Sequence, residues 1–291
     1  MERLAMTDNL RGSLYMTAAM VGFALEDAFL KAASRQVPVG EAILIIGLVG
    51  IAVFAGLALR AGQPPIPAAM FSRTMALRSG FEITGRLFYA LAIALTPISV
   101  ASAILQATPL VVVLGAALIF GERVGLKRWL LILLGFAGVL IILRPGLDGF
   151  SALSLLALVA MAGFAGRDLA TRAAPPALSN AQLGVTGFVM LTLSGVIILA
   201  VGGGASLPAP QTLLLLAGAA TFGISAYAAL TTAMRVGEVA VVTPFRYTRL
   251  LFAMVLGIAA FGERPDAATL LGSAIIVACG VLILTQNRRI S

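Results

Sequence analysis

A chain of 291 residues with 60% hydrophobic and 11% charged positions, and a mean hydropathy of +1.05, lies outside the balance of soluble domains and reads as a membrane protein. Its net charge of +8 is not gathered into a run that could grip nucleic acid, so no nucleic-acid partner is expected. The single cysteine, Cys279, excludes an internal disulfide framework and a cysteine metal site, and the absence of histidine removes zincin and imidazole-base chemistry; neither metal nor cofactor is expected.

Apolar runs between charged or Pro/Gly-rich breaks predict ten spans, at 12–31, 40–60, 74–95, 98–119, 127–143, 150–171, 180–201, 211–234, 239–260 and 266–285. Arg3 and Arg11 precede the first as in a signal peptide, but this segment returns deep in the chain and is kept as a span. Within it, "AMVGFALEDAFLKAA" at 19–33 sets Glu26 beside Asp27 in apolar surroundings. In the sixth span, "AMAGFAGRDLATRAA" at 160–174 repeats the pattern: Gly22, Phe23, Ala24 and Asp27 recur as Gly163, Phe164, Ala165 and Asp168, and Lys31 as Arg172, each 141 residues on.

The third span carries Arg78, Glu82 and Arg86 at intervals of four, on one helical face, where Glu82 can pair with either arginine. A charge at the bilayer centre costs about 2.5–3.5 kcal/mol, so this stripe either neutralises itself against neighbouring helices or faces a watery interior. Arg78 can also snorkel to the cytoplasmic interface. In the fourth span Gln106 is either an interhelical hydrogen bond or a substrate contact, and Pro109 is a helix break. The ninth holds Thr243, Pro244, Arg246, Tyr247 and Arg249. Pro244 leaves the Ala240 carbonyl without its helical donor, a break tolerated where it lines protein or a cavity. Arg246 and Arg249 have no acid in their own span and call for an anion, either Glu82 or a substrate carboxylate. Tyr15 and Tyr89 read as interfacial or core packing, whereas Tyr227 and Tyr247 fit either packing or a cavity wall.

A second match, "FGER" at 120–123 and 261–264, again lies 141 residues apart and divides the chain into five-span copies at 1–146 and 147–291. Five is odd, so the second copy enters from the opposite side: an inverted repeat, the signature of secondary transporters whose halves rock around a site near the midplane. With the N-terminus inside, the inner segments hold eleven basic residues against Arg35, Arg144, Arg264 and the marginal Lys31 outside, which places both termini in the cytoplasm. The repeated motif then occurs once near each face. It is read either as interfacial i,i+4 ion pairs, Asp27 with Lys31 and Asp168 with Arg172, or as two symmetry-related gates, Glu26/Asp27 and Arg167/Asp168.

Ten spans, two five-helix copies and a Gly-Glu pair closing the fourth and ninth spans (Gly121-Glu122 and Gly262-Glu263) resemble the drug/metabolite transporter superfamily, EamA-type branch, most of all the YddG-type exporters of aromatic and other amino acids. The resemblance implies an all-α, ten-helix basket around a central cavity and an inner-membrane exporter, not an enzyme, working by alternating access on amino acids, with a monomer sufficient. One departure is that Leu250 stands where the first copy has Pro109, so the two interrupted spans are expected to bend at different depths. For an amino acid, Arg246 or Arg249 with Arg86 would hold the carboxylate and Glu82 the ammonium, while Gln106, Tyr227 and Tyr247 add hydrogen bonds and ring contact, with Phe23, Phe164 and Phe245 as apolar wall. The rival functions are a multidrug exporter of lipophilic cations, which five arginines at membrane depth fit less well, a channel, and an intramembrane lipid-modifying enzyme, for which no nucleophile–base pair is present.

Overall fold

The computed structural model describes residues 2–120, 125–144, 151–172, 177–202, 204–236 and 243–286. These form eleven α-helices and two short 3-10 turns: α1 (Glu2–Ala33), α2 (Val39–Arg60), a turn at Ala68–Phe71, α3 (Arg73–Leu95), α4 (Ile98–Leu105), α5 (Thr108–Phe120), α6 (Leu126–Leu143), α7 (Ser154–Arg172), α8 (Asn180–Gly202), α9 (Pro210–Val236), a turn at Thr243–Tyr247, α10 (Thr248–Phe261) and α11 (Ala267–Gln286). They make up ten spans, because α4 with α5, and the second turn with α10, are each one interrupted span. Among the described residues four stretches are by themselves long and apolar enough to cross a membrane: Leu10–Ala33, Val39–Arg60, Asn180–Gly202 and Pro210–Ala233. Of the remaining spans, α3 carries buried and α7 half-buried charge and two are interrupted, as a polar interior requires, while α6 and α11 hold shorter apolar stretches.

The packing follows the duplication. α1 lies along α9 and α7 along α3, which are equivalent pairs; α2 meets its own counterpart α8, and α6 meets α11. A Cβ added at Gly22 would lie 2.9 Å from the Ala226 side chain, and one at Gly163 would lie 2.5 Å from the Gly85 backbone nitrogen. Both residues of the second contact are offset from the first by 141, so the same close helix crossing is built twice. Every one of these helix pairs joins the first copy to the second. The repeats therefore interlock.

The loops repeat the arrangement at opposite ends. Glu41, buried at the start of α2, accepts from the Ser206 amide (2.9 Å) and hydroxyl (3.2 Å), and its counterpart Gln182, at the start of α8, donates to the Pro64 carbonyl (2.9 Å). Each copy thus pins the long loop of the other. The Gly-Glu pair of the second copy has a clear physical role. Gly262 takes a left-handed φ of 65° that ends α10, and Glu263 turns back onto the first copy. The matching Gly121-Glu122 lies outside the described residues.

The interrupted spans break at equivalent depths, not at different ones. α4 ends at Leu105 and α5 begins at Thr108, while the 3-10 turn ends at Tyr247, 141 residues beyond Gln106. The prolines act on opposite sides of this level. Pro109 follows the first break and has no N–H to give the Leu105 carbonyl, so the Thr108 hydroxyl donates to it instead (2.5 Å). In the second copy the Thr248 hydroxyl donates to the Phe245 carbonyl (2.6 Å). A threonine closing a carbonyl three residues back is the shared device. The Ala240 carbonyl expected to be orphaned by Pro244 lies outside the described residues.

Candidate functional site

The two breaks meet. The Gln106 side chain donates to the Arg246 carbonyl (3.0 Å), joining one interrupted span to the other beside a central cavity of about 130 Å³. Arg86, Gln106, Tyr227, Arg246, Tyr247 and Arg249 all line that cavity, as do Glu26, Asp27, Arg167 and Asp168. Phe23, Tyr89 and Phe164 complete an aromatic wall. Phe245, proposed for that wall from the sequence, instead lies exposed on the 3-10 turn.

Charge is arranged in two linked groups. In the first, Arg249 donates to Asp27 (2.7 Å), and Tyr89 donates to the same carboxylate oxygen (2.9 Å). The Arg249 guanidinium also lies over the rings of Phe23 (5.1 Å) and Tyr89 (5.2 Å). In the second, Arg167 pairs with its neighbour Asp168 (2.8 Å), which also accepts from Arg246 (3.3 Å). Thus both aspartates of the duplicated motif are held by arginines of the same interrupted span, Arg249 taking Asp27 and Arg246 taking Asp168. The local i,i+4 pair of Asp27 with Lys31 is not formed. The side chain of Arg172 lies outside the described residues.

Glu82 differs from its sequence expectation. It is fully buried, does not line the cavity, and is ringed by Arg78 (3.0 Å), Arg86 (3.5 Å) and Arg167 (3.9 Å). Three guanidiniums leave no room for a substrate ammonium. Glu82 instead holds the arginines that face inward, and Arg78 is buried on it and not at the interface. The Asp27 and Asp168 motifs both line this one cavity.

At one end the cavity is roofed by a layer the sequence did not reveal. Lys31, one turn beyond Asp27, donates to the Thr96 carbonyl (2.5 Å) at the end of α3 and pairs with Glu263 (3.6 Å). Glu263 in turn accepts from the Ile98 amide (2.7 Å) and the Ser99 amide and hydroxyl (3.1 and 2.8 Å), capping α4. Arg35 lies over Phe261 (5.2 Å), and Arg144 is bound to Asp266. Tyr89 was also missed. Its spacing, three residues after Arg86 on the Glu82 face, was the available signal.

Not every polar atom on the wall is satisfied. Among the described residues, Arg86 Nε, Arg249 Nε and the Tyr247 hydroxyl are buried with no hydrogen-bond partner. Buried polar groups are rarely left so, and these three stand beside aromatic rings on the cavity wall.

The EamA-like transporter family matches residues 10–144 and again 150–286. A riboflavin transporter of Rhizobium johnstonii is 32% identical over 68% of this chain and 65% of its own length, and a riboflavin transporter of Vibrio cholerae is 29% identical over 95% and 93%. An S-adenosylmethionine uptake transporter of Rickettsia bellii is 24% identical over 69% and 68%. A solved crystal structure aligns with 96% of this chain and 99% of its own at a TM-score of 0.61 and 20% identity, a likeness of fold.

Proposed function

Because this chain belongs to the EamA-like transporter family, we propose that its cavity carries a small polar metabolite with a planar aromatic ring, of the flavin kind, across a bacterial membrane by alternating access. It is a multi-pass membrane transporter and not an enzyme. The observation that carries the substrate reading is the set of unpartnered donors, Arg86 Nε, Arg249 Nε and the Tyr247 hydroxyl, set among Phe23, Tyr89, Phe164 and Tyr227. The flat isoalloxazine ring stacks on such walls, and its carbonyl oxygens accept from such donors. Two relatives that transport riboflavin support the same class.

Gln106 joins the two breaks, and Arg246 and Arg249 divide the repeated aspartates between them. Movement of the Thr243–Tyr247 turn would therefore exchange these pairs as access alternates, with Glu26, Asp27, Arg167 and Asp168 as the gating set. The excess of basic residues in one set of loops supports a topology with both termini in the cytoplasm. Amino acid export is the second reading, favoured by free guanidinium N–H groups and a cavity carboxylate, Glu26, the two groups a zwitterion needs.

Counterflow in proteoliposomes tests these readings: vesicles loaded with unlabelled solute are followed for uptake of labelled riboflavin, phenylalanine or tetraphenylphosphonium, by wild type and Arg249→Ala. Saturable riboflavin exchange lost in Arg249→Ala is the expected result. Exchange of phenylalanine alone selects the second reading, and exchange of the lipophilic cation alone overturns both.

A further inference from the structure

Four carboxylates stand in or behind the cavity wall, and three are engaged. Asp27 is held by Arg249 and Tyr89, Asp168 by Arg167 and Arg246, and Glu82 by three arginines. Glu26 lines the same cavity, yet among the described residues no hydrogen bond or ion pair engages its carboxylate. Its place is made by a glycine: a Cβ added at Gly223 of α9 would lie 2.5 Å from Glu26 Oε1. Asp27, one residue on, projects to a different side of α1 and is tied across to α10. Thus, of two acids that both line the cavity, one is tied to the fold and the other is left to the ligand space.

We infer that Glu26 is the specificity-determining acceptor of the cavity, taking an N–H donor that the substrate presents beside its own acceptor atoms. This rests on the transporter reading above and names what the site selects. An unpaired carboxylate in a cavity with surplus arginine admits a ligand carrying both kinds of group. The free guanidinium N–H atoms meet oxygens, and Glu26 meets the donor between or beside them. A flavin imide, N–H flanked by two carbonyls, has this pattern, and so does the ammonium beside the carboxylate of an amino acid. A ligand with acceptors alone leaves Glu26 buried and unmet, which is costly in a site partly screened from water.

The test is equilibrium binding to the purified full chain in detergent, using riboflavin against 3-methylriboflavin, which lacks the imide N–H, and phenylalanine against 3-phenylpropionate, which lacks the ammonium. Wild type is expected to prefer the donor-bearing member of whichever pair it binds by about tenfold or more, the loss typical of a hydrogen bond to a charged group. In Glu26→Gln, whose amide oxygen accepts only as a neutral group, the ratio should fall several-fold, to about one to threefold. Gly223→Ala alters no charge and pushes only the flexible end of Glu26 aside, so it should lower the ratio in the same direction with the fold retained.

A ratio unchanged in both variants overturns the role of Glu26 while leaving the transporter reading standing. Discrimination within the phenylalanine pair alone, lost in Glu26→Gln, overturns the flavin reading and upholds Glu26. Binding of neither pair overturns both.

Discussion

Removing the Glu263 carboxylate should destabilise the fold more than removing the lysine it pairs with. Among the described residues Glu263 is the charged cap of α4, accepting from Ile98 N, Ser99 N and Ser99 Oγ at 2.7, 3.1 and 2.8 Å. Loss of a cap costs about 1–2 kcal/mol. Glu263→Ala also strands Lys31, whose side chain is only 11% exposed. Breaking a buried pair in this way costs about 3–5 kcal/mol when nothing else compensates, and here the Thr96 and Ile93 carbonyls still accept from the ammonium. The two effects overlap, so the expected loss is about 3 kcal/mol.

Lys31→Met leaves Glu263 with all three donors and should cost about 1–2 kcal/mol. The double variant should lose less than the sum of the two singles and no more than Glu263→Ala alone, because the stranded lysine has gone. The measurement is unfolding of the purified proteins in mixed micelles by increasing denaturing detergent, followed by far-UV circular dichroism. A Glu263→Ala loss under about 0.5 kcal/mol, or a larger loss for Lys31→Met, would refute the roof as a charge-capped structure.

Other expectations follow from single contacts. Arg249→Lys should cut the initial counterflow rate about as deeply as Arg249→Ala, at least about tenfold, because an ammonium cannot both pair with Asp27 and lie flat between Phe23 and Tyr89; a rate near wild type contradicts this. Asp266 caps α11 through the Thr269 amide (2.8 Å), which holds its carboxyl below the usual range. Its folded value lies below the unfolded one, so its stabilisation, about 1 kcal/mol, is present at neutral pH and fades as pH falls through the folded value. The stability gap between wild type and Asp266→Asn should therefore close in acid, and a gap independent of pH would count against it. In a Cys279→Ala background, a cysteine replacing exposed Arg35 should react with an impermeant maleimide added outside intact cells, while one replacing Arg60 should react only after permeabilisation. The reverse pattern inverts the topology.

The fold was legible because its signals are local and doubled. Spans predicted at 40–60, 74–95 and 180–201 form at Val39–Arg60, Arg73–Leu95 and Asn180–Gly202. The inverted repeat followed from a fixed spacing that needs no tertiary knowledge. Pairing across the cavity was less legible, because helical periodicity fixes which face a residue occupies and not what lies opposite it. Asp27 was matched to Lys31 by the i,i+4 rule, yet Arg249, distant in sequence, reaches it first, and Lys31 is drawn to carbonyls at the end of α3. Glu82 was counted as a candidate substrate anchor by its position and charge; three arginines from two helices converge on it, and it does not line the cavity. The threonine contacts shared by the two breaks were also hidden, since proline position marks where a donor is missing and not which hydroxyl closes a nearby carbonyl.

The most direct measurement of the central claim is a titration of purified wild type with riboflavin, read by quenching of flavin fluorescence, beside Arg86→Ala and Tyr247→Phe. Saturable binding that weakens about tenfold or more in Arg86→Ala and to a lesser degree in Tyr247→Phe is the result expected if those unpartnered donors meet the ligand. Riboflavin binding undiminished in both variants, or no saturable binding by the wild type, would contradict it.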